Sequence, residues 1–143
     1  MGKSNMRKTD EKKRVVVFGV FDGIHDGHRD FFRQAREYGD ELVVIVGRDE
    51  VALQLKNKKP KYSQEERLGF VKRERGIDDG VLGDEEPSSY QVMETLTPDV
   101  ICMGYDQQIL AEDLKKWMKA KGKEIPIFIL KPYKSEIFHN SLL

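Results

Sequence analysis

The sequence predicts an α/β fold: a doubly wound sheet of about five parallel strands with helices on both faces. Short β-branched runs alternate along the chain with segments of helical periodicity. These runs are apolar at consecutive positions, as is typical of strands buried on both faces of a parallel sheet. With 143 residues, the chain is long enough for one domain with a substantial core.

An N-terminal arm and a βαβ unit open the chain. Residues 1–13 are polar and lysine-rich, so we expect a flexible arm ahead of a domain at 14–143. The first strand is predicted at 15–18 and the second at 42–46, and a loop with two glycines and two histidines lies at 22–28. The helix between them has an apolar face at helical spacing, formed by Phe31, Phe32, Ala35 and Tyr38.

The alternation of elements continues to the end of the chain. The elements predicted after the second strand are a lysine-rich loop (56–61), a helix (64–75), a weak strand (80–82), a short helix (90–96), a strand (100–103), a helix with Leu110, Leu114, Trp117 and Met118 on its apolar face, and a last strand (125–130). In an open α/β sheet, ligands bind beyond the carboxyl ends of the strands, where the strand order reverses. We therefore expect the chemistry of this protein in the segments that follow the strands.

The composition excludes several classes of protein. Twenty-five basic residues balance 25 acidic ones, which argues against a general nucleic-acid or membrane-surface binder. The single cysteine, Cys102, excludes an internal disulfide framework and a cysteine-based zinc site, and we expect it to be buried in a strand. No apolar run reaches the ~18 residues of a membrane span, and no apolar segment typical of a signal peptide follows the N-terminus. We therefore expect a cytoplasmic protein.

The segment after the first strand carries the strongest functional signal. His25 and His28 lie on either side of Gly27 at a predicted helix start. A helix N-terminus offers unpaired N–H groups and partial positive charge, and a glycine lets a phosphate approach the backbone. Two histidines there can donate hydrogen bonds to phosphate oxygens as negative charge develops, which suits phosphoryl or nucleotidyl transfer. A metal site formed by Asp22, His25 and His28 is the alternative.

Polar groups also follow the other strands. The stretch 56–61 offers four lysines that can neutralise a triphosphate, unless it is only a solvated loop. Arg67, on the helix that follows, suits either a phosphate contact or a salt bridge. The segment 104–107 offers a carboxylate and an amide that can bind a base or ribose edge, or it is an ordinary turn. The end segment 131–141 offers aromatic rings and phosphate-binding groups, or it is a frayed tail.

These motifs resemble those of a known superfamily. The residues around His25 and His28 are similar to the HxGH signature of the nucleotidyltransferases, which implies a Rossmann-like doubly wound sheet. The stretches 55–58 and 62–67 resemble the lysine loop and arginine helix of small cytidylyltransferase-like enzymes. Gly104-Tyr105-Asp106-Gln107 resembles the G-x-D-Q turn of archaeal-type FAD synthases. The segment from Tyr133 to Ser141 is similar to their Y-K-x-x-x-F-H-S-S segment, and the resemblance as a whole covers about residues 14–141.

The resemblance implies an FMN adenylyltransferase, which converts ATP and FMN into FAD and pyrophosphate with a divalent cation, Mg²⁺ bound to the triphosphate. The FMN phosphate is anionic at neutral pH, so its in-line attack on the α-phosphorus needs no strong general base. The implied site residues are Val20 and Phe21, lining the ATP site by backbone contact; His25, Asp26, Gly27 and His28, holding the phosphates; Lys56, neutralising the leaving pyrophosphate; Asp106 and Tyr133, contacting the adenine nucleotide; and Asn140 and Ser141, closing over the phosphates.

Two departures and two other functions accompany this expectation. Val20 stands where the family usually has Thr, and Asp26 stands where it usually has Pro. The first alternative is a cytidylyl- or adenylyltransferase for another phosphorylated acceptor, such as glycerol 3-phosphate, a sugar phosphate or phosphopantetheine. The second is a nucleotide- or flavin-binding sensor without catalysis. The expected partners are ATP and FMN, with neither nucleic acid nor membrane, and analogy with relatives of this size adds a homodimer.

Overall fold

The strands form one parallel sheet in the order β3-β2-β1-β4-β5. The computed structural model describes residues 12–133. Its strands are β1 (Arg14–Gly19), β2 (Glu41–Val46), β3 (Asp79–Leu82), β4 (Val100–Met103) and β5 (Ile127–Ile129). Its helices are α1 (Asp26–Arg36), α2 (Asp49–Lys56), α3 (Gln64–Lys72), α4 (Gln91–Leu96) and α5 (Gln108–Lys121). The parallel five-stranded sheet and its alternation with helices confirm the predicted fold class.

The order of the strands creates a switch point between β1 and β4. From β1 the chain adds β2 and β3 on one side, and then returns to add β4 and β5 on the other. The register of β1 with β2 runs over the whole strand, from Arg14 opposite Glu41 to Gly19 opposite Val46. The crevice at the carboxyl ends of β1 and β4 is therefore where this topology favours a ligand.

Alternate residues of the strands bury two separate cores. Val15 and Val17 of β1 belong to a cluster with Phe32 of α1 and Val71 of α3. Val16, between them, belongs to a second cluster on the opposite face, with the apolar sides of the other helices: Met93, Ala111, Leu114, Trp117 and Met118. Successive side chains of a strand point to opposite faces, so helices on both sides of the sheet each receive an apolar surface.

Several boundaries differ from the expectation by one to three residues, and helix α2 was not predicted. The loop predicted at 22–28 already turns into helix α1 at Asp26. Lys56 is the last residue of helix α2, whereas a loop was expected there. Ala52 is buried, but Leu53 and Leu55 are exposed, so α2 has no apolar stripe by which its sequence could reveal it. Asn57 ends the helix with a φ of 54°, in the left-handed region that asparagine tolerates.

The single cysteine and the single tryptophan both lie in the interior, as predicted. Cys102 has no exposed surface, and burial raises the pKa of its thiol to about 12. Trp117 is buried in the second core, where its ring meets that of Tyr90 edge-on. Among the helices of residues 12–133, none is both long and apolar enough to cross a membrane.

Candidate active site

His25 and His28 cap the start of helix α1 reciprocally. The Nδ1 atom of His25 accepts hydrogen bonds from the backbone N–H of Gly27 at 3.0 Å and of His28 at 3.3 Å. In return, Nδ1 of His28 accepts from the backbone N–H of His25 at 3.2 Å. The two rings stack, with centroids 3.7 Å apart and planes 16° apart. The histidine pair thus satisfies amides that a helix start leaves unpaired, and each ring fixes the other.

This arrangement determines which nitrogen of each ring carries the proton. Because both Nδ1 atoms accept backbone hydrogen bonds, each neutral imidazole has its proton on Nε2. The donor that each ring can offer to a ligand is therefore the Nε2–H. The two stacked rings lie at a helix N-terminus, a setting that suits the binding of phosphate oxygens.

Glycines allow the close packing around the histidine pair. A Cβ on Gly27 would lie 2.9 Å from Cε1 of His25 and 3.8 Å from Cβ of Tyr133. Tyr133 is therefore next to the Gly27 backbone. A Cβ on Gly19 would lie 2.5 Å from the ring of Phe21, which folds back over the strand end with a φ of 53°. The Phe21 ring is buried, and its centroid lies 5.3 Å from that of His28 in an edge-on contact. Phe21 therefore packs against the histidine.

Asp26 opens helix α1 with an exposed side chain. Its carboxylate accepts a hydrogen bond from Arg29 Nη1 at 3.1 Å, and Nε of the same arginine bonds Glu74 at 2.8 Å. Negative charge at a helix N-terminus is favourable for the helix, and Arg29 partly neutralises it. Aspartate in place of proline at position 26 therefore fits the fold, and its charge is paired with Arg29 beside the expected phosphate site.

Arg67 is a completely buried cation that ties together the carboxyl ends of β1 and β2. Its Nη1 donates to the backbone oxygens of Val20 at 2.8 Å and Gly47 at 2.7 Å, and its Nε donates to that of Tyr62 at 3.0 Å. Its Nη2 pairs with Asp49 Oδ1 at 2.6 Å. Of the two roles expected for Arg67, the salt bridge is the one present. The Val20 carbonyl, expected at the ATP site, is also occupied by Arg67.

Asp22 fixes the lysine-rich loop to the end of β1. Its carboxylate accepts from the backbone N–H groups of Lys61 at 2.6 Å and Tyr62 at 2.8 Å. Burial opposes ionisation, but these two donors and the positive charges of Arg67 and Lys61 outweigh it and lower the pKa of Asp22. Both carboxylate oxygens are thus committed to the loop, and both histidines use Nδ1 for capping. Within residues 12–133 no three His, Cys, Asp or Glu side chains are placed to hold a metal ion, so the alternative metal site at Asp22, His25 and His28 is not formed.

The turn after β4 brings Asp106 and Gln107 to the switch point. The Gln107 amide accepts from Gly104 N–H at 2.7 Å and donates to the Phe18 carbonyl at 3.0 Å. Its polar atoms are therefore engaged with backbone, so reading a base edge, as expected from the sequence, is not the role it shows. Asp106 is exposed, and its Oδ1 would lie 3.2 Å from a Cβ on Gly104. Tyr105, its neighbour in the turn, is exposed as well.

Lys56 is separate from the histidine loop, and two other expected site residues fall outside the part of the chain that the structure describes. Lys56 is exposed at the end of helix α2, and no hydrogen bond or ion pair connects it with the histidine loop within residues 12–133. Asn140 and Ser141 lie outside the described residues.

Comparison with known proteins assigns the family. The model of the family described as "Cytidylyltransferase-like" matches residues 16–141. The chain belongs to the cytidylyltransferase-like family. The match includes all the described helices and strands except the first two residues of β1, and it confirms the recognition of a nucleotidyltransferase from its HxGH motif.

Individual relatives of this cytidylyltransferase-like chain are similar along most of their length. An FAD synthase of Pyrococcus horikoshii is 43% identical over 125 residues, which are 87% of this chain and 84% of that one. An FAD synthase of Thermococcus sibiricus is 38% identical over 93% of this chain and 91% of its own. A solved structure described as a lipopolysaccharide core biosynthesis protein of Thermoplasma volcanium superposes with a TM-score of 0.79 at 31% identity, covering 86% of this chain and 99% of that one.

Sequence reasoning missed how the cytidylyltransferase-like site is braced. Asp22, Arg67 and Gln107 hold backbone atoms from segments distant in the chain, such as Phe18, 89 positions from Gln107. For Arg67 a signal existed, since its place on the helix after the lysine-rich loop indicates either a phosphate contact or a salt bridge. For Asp22 and Gln107, a polar residue at a strand end signals a site, but its backbone partner depends on the tertiary fold.

Proposed function

We propose that this protein, a nucleotidyltransferase, is an FAD synthase that transfers AMP from ATP to FMN. The observation that carries the proposal is the stacked histidine pair at the start of α1, the helix that follows β1 at the switch point of a cytidylyltransferase-like sheet. The choice of FMN rests on relatives named FAD synthase, which are 38–43% identical over most of their own length.

In the proposed reaction, an oxygen of the FMN phosphate attacks the α-phosphorus of ATP in line with the leaving group. A new P–O bond forms, the bond between the α-phosphorus and the bridging oxygen breaks, and pyrophosphate leaves with the bonding electrons. His25 and His28 donate from Nε2 to the phosphate oxygens on which negative charge builds up. The FMN phosphate is already anionic, so no residue needs to remove a proton.

The other residues hold the substrates. The Gly27 backbone and the start of α1 bind the phosphates, with Asp26 beside them, and Val20 and Phe21 line the ATP site. Asp106 and Tyr133 contact the adenine nucleotide. Lys56 neutralises the leaving pyrophosphate, which requires helix α2 or the loop after it to approach the triphosphate. Asn140 and Ser141 close over the phosphates.

A divalent cation enters with the substrate. Within residues 12–133, no group of three or more His, Cys, Asp or Glu side chains is arranged to hold a metal ion. The donors on this chain therefore fit a cation carried by the triphosphate of ATP, with Mg²⁺ as the natural choice because it keeps several waters and binds phosphate oxygens. The cation would offset charge on the pyrophosphate as it leaves.

Further expectations belong to this proposal. Residues 14–143 act as one nucleotidyltransferase domain, with 1–13 as an arm. The enzyme works in the cytoplasm, where ATP and FMN are available, and forms a homodimer. It binds neither nucleic acid nor a membrane.

An endpoint assay tests the function. Purified protein with MgCl₂ is offered ATP or CTP, each with FMN, glycerol 3-phosphate or phosphopantetheine, and the products are separated by chromatography. FAD from ATP and FMN alone supports the proposal, and product from another pair assigns a different acceptor. ATP binding without any product identifies a sensor.

His28→Ala is the matched variant for that assay. With FAD formed by the wild type, we expect the variant to lose most activity, by about 10²-fold or more, while it keeps the fold. Wild-type activity in this variant would contradict the role given to the histidine pair.

A further inference from the structure

The parallel ladder between β1 and β4 ends early. Within the described residues, the register between these strands consists of two pairs, Val15 with Val100 and Val16 with Ile101. Both strands continue beyond that point, because β1 pairs with β2 up to Gly19 and β4 pairs with β5 up to Met103. The two strands therefore separate at the switch point, although each stays in the sheet through its other neighbour.

The Gln107 side chain fills the gap where the ladder would continue. Extending the register by two residues sets Phe18 opposite Met103, and a regular parallel ladder would then join the Gly104 N–H to the Phe18 carbonyl. In the structure, Gln107 Oε1 accepts from that N–H at 2.7 Å, and Nε2 donates to that carbonyl at 3.0 Å. The Gln107 amide thus takes the place of one direct backbone hydrogen bond between the strands and joins them through two hydrogen bonds of its own.

We propose that Gln107 is a positioning residue that sets the width of the nucleotide crevice between β1 and β4. This inference rests on the proposed nucleotide site at the switch point. By holding the Phe18 carbonyl and the Gly104 N–H one amide apart, Gln107 fixes the distance between the histidine loop after β1 and the Asp106 turn after β4. The triphosphate and the nucleoside of ATP contact these two segments respectively, so the bridge matches the crevice to the nucleotide.

The chemistry of the bridge is specific to glutamine. One end must accept a hydrogen bond and the other must donate one, because a carbonyl oxygen lies on one side and an N–H on the other. An ionised carboxylate in its place would set one oxygen against the Phe18 carbonyl and force the strand ends to move. A protonated carboxyl group, however, offers one acceptor and one donor, as the amide does.

This difference gives a test by pH. Gln107→Glu is compared with the wild type by measuring kcat/KM for ATP and, by calorimetry, binding of α,β-methylene-ATP with MgCl₂. At neutral pH we expect the variant to lose about 10- to 10²-fold in both quantities, because a misplaced strand end misaligns the nucleotide. As the pH falls towards about 5 and the introduced carboxyl group takes up a proton, the ratio of variant to wild type rises.

Two further variants separate the bridge from other effects. Gln108→Glu places the same charge one position away on an exposed residue, and we expect it to stay within about twofold of the wild type at every pH. Gln107→Met keeps the length without the hydrogen bonds, and its loss should not change with pH. The pH response of Gln107→Glu is measured within one folded protein, so it remains decisive if Gln107→Met does not fold.

Three results would overturn the inference: a ratio for Gln107→Glu that is independent of pH, an equal loss in Gln108→Glu, or wild-type nucleotide binding in Gln107→Met. Failure of the proposed function is separate. If the wild type binds the ATP analogue but makes no FAD, the acceptor is wrong, and the binding measurements still decide the role of Gln107.

Discussion

His25 has two roles at once, because one imidazole caps helix α1 with Nδ1 and offers Nε2–H to the proposed phosphate site. These roles can be separated by substitution. Asparagine is a strong N-cap residue, since its side-chain oxygen accepts the same backbone hydrogen bonds, but it is too short to present a donor where Nε2 lies.

We therefore expect His25→Asn to keep the stability of the wild type and to lose adenylyl transfer. His25→Ala should lose both, with about 1 kcal/mol less free energy of unfolding, because the N–H groups of Gly27 and His28 lose their acceptor. Urea denaturation and the FAD assay measure the two effects on the same preparations. Equal stability of the two variants would mean that His25 does not stabilise the helix start.

Unlike His25, which has two roles, Arg67 has a structural one. Its side chain is fully buried, and its partners are backbone carbonyls and Asp49. Arg67→Ala should lower the free energy of unfolding by about 3 kcal/mol, since it leaves three carbonyl oxygens and a carboxylate without their donor. Arg67→Lys keeps the charge but not the planar set of donors, so an intermediate loss is expected. Arg75→Ala, on an exposed arginine, is the control and should change stability by less than about 0.5 kcal/mol. A similar small change for Arg67→Ala would contradict the bracing role.

At the scale of elements, the sequence predicts what periodicity and turn chemistry determine. The strands at β1, β2 and β4 are unbroken apolar runs, and α5 carries a clear apolar stripe, so each was found within a few residues of its bounds. Helix α2 was missed because it is short and Ala52 is its one buried residue. The capping histidines were read as a loop since a histidine N-cap is not among the usual start signals.

Substitution of glycine by alanine is expected to have opposite effects at Gly27 in α1 and at Gly69 in α3. In Gly27→Ala, the new Cβ would lie 2.9 Å from His25 Cε1 and 3.1 Å from Nδ1, so the ring must leave its capping position. We expect about a tenfold or greater loss of FAD synthesis.

In Gly69→Ala, inside α3, the nearest atom is the flexible tip of Arg73 at 3.3 Å, so helix propensity should stabilise the protein by about 0.5–1 kcal/mol. Denaturation and activity of both variants check this, and unchanged activity in Gly27→Ala would show that the packing of His25 on the glycine is dispensable.

At the scale of the whole molecule, the order of the strands explains why the candidate site is only partly readable from sequence. The topology collects the segments after β1, β2 and β4 at one edge of the sheet, which is where the sequence predicts the site residues as a group. Which of these residues bind backbone atoms depends on contacts between segments up to 89 positions apart, and no local sequence pattern contains that information. Arg67, Asp22 and Gln107 therefore turn out to hold backbone groups, whereas His25 and His28 cap the start of helix α1.

The buried thiol makes the stability of the whole fold sensitive to alkaline pH. Burial raises the pKa of Cys102 from 9.0 to about 12, and burial with the Asp113 hydrogen bond raises that of Tyr90 above its usual 10.0. Above about pH 9 the unfolded chain releases the thiol proton while the folded chain keeps it, so stability is full below that pH and falls as the pH rises towards 12. The thiol alone should contribute a slope of about 1.4 kcal/mol per pH unit to the free energy of unfolding between pH 9 and 11.

Cys102→Ala should be less stable at pH 8 because of the smaller side chain, but its free energy of unfolding should fall less steeply with pH. Urea midpoints from pH 8 to 11 give both slopes, and identical slopes would mean that the thiolate is tolerated in the core.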